Sequence, residues 1–244
     1  MAVDPVQEMG AAEKKTWIML GGCLTSQENN PDVMTELATK LGLSSELQFY
    51  DVYSLDEPEL LQHIPRPALA LLAIIPLTPT WKAERQAEDS GKPDYTGVGS
   101  QEPVTWFKQT IGNACGSIGL LHCAINGGAA SFIRPGSDLD LIRQSATPLR
   151  MKERADMLYN NAAFEAAHKS VESLGDTSAV ETKGHSGQHF VAFVKAEGKL
   201  GNLNDDEDVL SPRALEMGLK RIIQLGQDND TSDLRFSCTA LAHK

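Results

Sequence analysis

The stretch Lys108-Gln109-Thr110-Ile111-Gly112-Asn113-Ala114-Cys115-Gly116-Ser117, set against Gln188-His189-Phe190-Val191-Ala192-Phe193-Val194 far downstream, decides how this chain is read. Together the two segments have the make-up of a cysteine-protease site split across two elements. A thiol is nucleophilic only as its thiolate, so it needs a helix N-terminus or an imidazolium beside it to lower its pKa. Asn113 is placed to cap a helix starting near Ala114, and Ile118, Leu120, Leu121 and Ile125 follow at helical spacing. Cys115 is then expected in the first turn, at the positive end of the helix dipole. His189 opens a Phe-, Val- and Ala-rich run that reads as a buried strand ending at Glu197-Gly198, and such a strand holds its first residue rigidly. Gln109 lies just upstream of the helix, where its side-chain amide can donate to a developing oxyanion. Taken singly, each residue has a plainer explanation: an inert buried thiol, a capping histidine, a solvated glutamine. The chain order Gln, Cys, His argues for a site, with Gly112, Ala114, Gly116 and Ser117 leaving room for a peptide beside the thiol.

Gln109 to His122 resembles the active-site box of the ubiquitin C-terminal hydrolases, the papain-like deubiquitinases of the UCH type, and His189 to Val194 resembles their histidine box. The likeness extends to Asn30-Pro31-Asp32-Val33 with Leu41-Gly42-Leu43, to Phe49-Tyr50-Asp51-Val52-Tyr53, to Pro65-Arg66-Pro67 and the run ending Ile75-Pro76-Leu77, to Arg150–Tyr159, and to Asp233-Leu234-Arg235-Phe236. The resemblance implies an α/β (α+β) chain of papain-like fold, with a central, largely antiparallel sheet flanked by helices. It places a single catalytic domain over residues 14–244, after a flexible tail over 1–13. It makes Cys115 the nucleophile, His189 the general base and acid, and Gln109 the oxyanion donor, with no metal and no cofactor. The implied substrates are ubiquitin or ubiquitin-like proteins carrying small C-terminal adducts, and the protein is expected to act as a monomer in the cytoplasm, with the nucleus as a second compartment.

Two departures stand out. The family carries Glu-Leu-Asp-Gly-Arg after the histidine strand, and its aspartate orients the imidazole; here the text is Lys199-Leu200-Gly201-Asn202-Leu203-Asn204-Asp205-Asp206. Laid without a gap, the aspartate falls on Asn204, a chemically tolerable orienter. With a gap, a strand and its carboxylate are missing, and Asp205, Asp206 and Asp208 read as a solvated acidic loop. Near the start, Gly21–Gln27 interrupts a join that is shorter in the family, and an extra and an absent segment together suggest a splicing or gene-prediction error. Two other readings follow: a catalytically impaired ubiquitin-binding protein, and a redox-sensing thiol protein built on Cys115.

Composition bounds the rest. The chain has 244 residues, 41% of them hydrophobic, enough for one sizeable core. Its apolar runs fall short of the roughly 18 residues of a membrane span, and Met1–Ala12 is polar and mixed, unlike a signal peptide. A net charge of −11 without a Lys/Arg stripe argues against nucleic acid. Cys23, Cys115, Cys123 and Cys238 show no metal or disulfide spacing, which fits a reducing compartment, with Cys123 and Cys238 as buried structural thiols. Helices are expected at 31–41, 137–144, 148–159, 162–174 and 212–225, besides the one after Asn113. Strands are expected at 48–53, 68–77, from 189 and at 234–241. Ala83–Pro103 and Leu174–Gln188 read as loops, and His63, His168 and His185 as surface or capping histidines.

Overall fold

Asn30 starts the first helix by accepting from the N–H groups of Asp32 and Val33, and Pro31 sits at the first helical position, where its missing N–H costs nothing. This helix, α1 (Pro31–Leu41), buries Val33, Met34, Leu37, Ala38 and Leu41 along one stripe. It stops at Gly42, whose φ of 116° is left-handed and whose added Cβ would fall 2.1 Å from that of Ser137. The computed structural model describes residues 15–17, 29–93, 95–172, 174, 188–195, 207–225 and 236–244. After α1 come β1 (Leu47–Asp51), a 3-10 turn (Pro58–Leu61), β2 (Ala70–Pro76), α2 (Pro79–Asp89), α3 (Cys115–Ile125) and a second 3-10 stretch (Gly127–Phe132). Then follow α4 (Asp138–Ala146), α5 (Met151–Tyr159), α6 (Ala162–Lys169), β3 (Gln188–Val194), α7 (Pro212–Met217), α8 (Leu219–Leu225) and β4 (Ser237–His243).

The strands form one antiparallel sheet in the order β1-β4-β2-β3. The central position of β2 explains its uninterrupted apolar sequence, because both of its faces are covered. Side chains alternate across the pleat: Ala70, Leu72 and Ile74 join the cluster built with α1 and α3, while Leu71, Ala73 and Ile75 join the one built with Trp81, Leu215, Leu219 and Ile222. The helix α3 is buried along nearly its whole length against the first face. Gly119 permits that approach, since a Cβ there would lie 2.6 Å from the Leu72 side chain. The register β2 to β3 places His189 opposite Ile75, at the strand end nearest the start of α3.

Three differences from the sequence reading have physical causes. Residues 79–89 form α2 where a loop was expected from 83. Thr78 caps it through the Trp81 N–H, Pro79 fills the first turn, and Trp81 alone anchors it, a signal too sparse for periodicity to register. The expected helix 212–225 breaks at Gly218, where φ −107° and ψ −101° leave the helical region, dividing α7 from α8. Asp208, read as a solvated loop residue, is buried: it accepts from the Ala68 N–H at 2.8 Å and the Leu210 N–H at 3.0 Å, and pairs with Arg66. The tail 1–13, Gly21–Gln27, most of 174–188, Asn204 to Asp206 and Asp233 to Arg235 lie outside the described residues.

Candidate active site

Cys115 is the first residue of α3, as the spacing predicts, but its cap is different. The capping position belongs to Ala114, which offers no side-chain acceptor, and Asn113 stands one residue earlier in the left-handed conformation with φ 60°. Asparagine tolerates that conformation better than other chiral residues. Its side-chain amide donates outward, to the Trp17 carbonyl at 3.1 Å. The partner segment is a strap that includes Lys15-Thr16-Trp17 and runs beside Gly112: the Trp17 N–H donates to the Gly112 carbonyl, and the Gly112 N–H to the Lys15 carbonyl, both at 2.9 Å.

The strap is held from behind by α5 and α6. Lys15 reaches the Tyr159 carbonyl at 2.8 Å and the Glu165 carboxylate at 2.6 Å. The buried Trp17 ring lies 4.4 Å from His168 and 5.5 Å from Phe164, centroid to centroid. His168, expected as a surface or capping histidine, is fully buried, and its Nδ1 is hydrogen-bonded to Ser117 Oγ at 2.7 Å. Ser117 is the signal that sequence reasoning passed over, a hydroxyl on a largely apolar helix that has to find a buried partner.

The electrostatics of Cys115 run against expectation. Cys115 is only 8% exposed, and burial pushes its thiol up. The nearby backbone amides, that of Phe190 first, pull the other way, and desolvation wins. Burial likewise pushes the His189 imidazole below its usual value. At neutral pH the pair is therefore thiol and neutral imidazole, not the thiolate that the helix dipole alone would favour. Among the described residues, no carboxylate or amide is hydrogen-bonded to the His189 ring. Phe190, the strand residue next to His189, lies in the same buried cluster as Cys115, and β3 packs against α3, so the two segments singled out in the sequence meet here.

Gln109 is half-buried, and its amide donates to the Ile111 carbonyl at 3.1 Å. That bond uses one of two amide hydrogens and fixes the plane of the group, leaving the second for another acceptor. Asp208 is fully engaged by Ala68, Leu210 and Arg66, which removes it as a partner for His189. Cys123 and Cys238 are buried free thiols whose pKa values burial pushes up, inert by that criterion. Among the described residues there is no group of three or more His, Cys, Asp or Glu side chains able to hold a metal ion, and no helix long and apolar enough to cross a membrane.

The model of the family "Ubiquitin carboxyl-terminal hydrolase, family 1" matches residues 25–215. Among curated proteins, ubiquitin carboxyl-terminal hydrolase 3 of Arabidopsis thaliana is 32% identical over 241 residues, covering 96% of this chain and 97% of the relative. Ubiquitin carboxyl-terminal hydrolase YUH1 of Saccharomyces cerevisiae is 33% identical over 181 residues, 72% of each chain. Among solved structures, the catalytic domain of Trichinella spiralis UCH37 bound to ubiquitin vinyl methyl ester superposes with a TM-score of 0.64 at 20% identity, over 94% of this chain and 96% of that one.

Proposed function

The chain belongs to family 1 of the ubiquitin carboxyl-terminal hydrolases, and from that premise we propose that it is a thiol-dependent deubiquitinase cleaving amide, ester or peptide bonds at the C-terminal glycine of ubiquitin. The observation that carries the reading is the packing of β3, the histidine strand, against α3, the helix that bears the nucleophile, with Phe190 and Cys115 buried in one cluster. The catalytic domain of Trichinella spiralis UCH37, of the same fold, is bound to ubiquitin vinyl methyl ester in its crystal structure, which supports ubiquitin as the partner here.

In the proposed reaction His189 takes the proton from Cys115 as the sulfur attacks the glycine carbonyl. Both groups start neutral, so the imidazolium and the negative charge that passes from the sulfur to the carbonyl oxygen arise together, within the site, as the proton moves and the C–S bond forms. The tetrahedral oxyanion is met by the free Gln109 amide hydrogen and the Cys115 backbone N–H, donors fixed before reaction. His189 then gives its proton to the leaving nitrogen or oxygen as that bond breaks. Water, deprotonated by His189, hydrolyses the thioester and returns the thiol.

Hydrolysis of ubiquitin carrying a C-terminal fluorogenic amide tests this, with the unaltered chain beside Cys115→Ala and a version with Glu-Leu-Asp-Gly-Arg inserted after Leu200. The expected outcome is turnover by the unaltered chain and none by Cys115→Ala. Equal turnover by both would remove Cys115 from the mechanism. Turnover confined to the version with the insertion would make the native chain a ubiquitin-binding protein of impaired chemistry.

A further inference from the structure

Resting on the deubiquitinase reading, we propose that Asn126 and His122, at the far end of α3, are positioning residues that staple the segment 105–109 along the helix and thereby set the place of Gln109 in the oxyanion site.

The segment between α2 and α3 forms no helix or strand over residues 103–113, so its course depends on what its backbone groups bond to. At Thr105 the partner is a side chain acting as a strand would. The Thr105 N–H donates to Asn126 Oδ1 at 2.7 Å, and Asn126 Nδ2 donates back to the Thr105 carbonyl at 3.0 Å. The second Nδ2 hydrogen goes to the His122 carbonyl at 2.9 Å, locking the amide. Two residues on, the Phe107 N–H donates to His122 Nε2 at 2.9 Å, and the buried Phe107 ring lies 6.1 Å from the imidazole at 24°. Burial, with the nearby His189, pushes His122 down to about 4, so at neutral pH its Nε2 lone pair stays available as an acceptor.

These bonds fix a register. Thr105 is tied to residue 126 and Phe107 to residue 122, so the segment runs antiparallel to α3 with two of its residues matched to four of the helix. Two extended residues span about 6.6 Å and four helical residues about 6 Å, so the match is nearly commensurate. Continued by one step, Gln109 lies level with Ile118, one turn from Cys115. The staple therefore delivers the donor to within one turn of the nucleophile, although neither of its residues is near enough in sequence to suggest it.

The test uses the full chain with Asn126→Ala, His122→Ala and His122→Gln, whose amide oxygen can accept from the Phe107 N–H in place of the ring. Three quantities are read: hydrogen exchange at the Thr105 and Phe107 amides, iodoacetamide labelling of Cys115, and affinity for ubiquitin bearing a C-terminal aldehyde. The aldehyde reads the oxyanion site without turnover: a C–S bond forms, and the thiol proton passes to the former carbonyl oxygen. The two alanine variants are expected to lose about tenfold in exchange protection at these amides and about tenfold in aldehyde affinity, with labelling within about twofold of the parent. His122→Gln restores both losses. In a Gln109→Ala background, neither alanine change lowers aldehyde affinity further. Unchanged exchange would overturn the staple whatever the activity. An affinity loss as large without Gln109 as with it would show general loosening instead of positioning. If the unaltered chain does not capture the aldehyde, the deubiquitinase reading fails and the oxyanion role with it, while exchange still decides the staple.

Discussion

Cys115 sits where a helix N-terminus favours a thiolate, and yet the balance goes to the neutral thiol. The dipole effect on a charged group is about 0.3–1 kcal/mol near the surface, whereas removing a thiolate from water costs more unless a cation compensates. His189 is no such cation in the resting protein, because burial holds its imidazole neutral. Iodoacetamide labelling of Cys115 should therefore climb by about tenfold per pH unit through neutrality and continue past pH 9. A plateau between pH 6 and 8 would mean a preformed thiolate–imidazolium pair and refute the neutral resting state. Residue type and order were enough to single out Cys115, His189 and Gln109 as candidates. The sign of the thiol's shift was not legible, because burial is set by the strand that covers it, whose contact with Cys115 is far from local.

Among the elements, those with dense local signals came through the sequence best. The cap Asn30 and Pro31 set the start of α1, and the unbroken apolar run of β2 marked it as a central strand. The strap Lys15–Trp17 had no such signal, because its conformation comes from the backbone of Gly112 and the rings of α6. It nonetheless reaches the candidate site, since the Trp17 carbonyl receives the Asn113 amide two residues before Cys115. Trp17→Ala empties a buried ring site, and such truncations cost about 3–5 kcal/mol. Urea unfolding should show a loss of that size. A loss below about 1 kcal/mol, within the range of an ordinary surface change, would show that the strap is only laid against the catalytic loop and does not brace it.

At the scale of the whole molecule, the buried titratable groups set the pH range over which the fold is stable. His122 is pushed down to about 4 and His189 is also lowered, so the unfolded chain binds protons at these rings before the native one does. Their contribution is complete above the unfolded value of about 6.5 and is lost as pH falls toward 4. The thiols of Cys115, Cys123 and Cys238 are shifted upward, which reverses the sign: the unfolded chain releases their protons first, and stability declines as pH rises above about 8.5. Stability should therefore form a plateau between these limits. The net charge of −11 works against the acid limb, since protonating carboxylates relieves self-repulsion. Ordinary carboxylates titrate near 4, however, below most of the histidine window, so the histidines dominate between about pH 6.5 and 4.5. Thermal unfolding in steps of pH should show the midpoint falling from about pH 6.5 downward, with a shallower fall in His122→Gln, which cannot take up the proton. A midpoint flat down to pH 4.5 would mean that the two rings titrate alike in both states, and would contradict the burial from which the neutral resting site is argued.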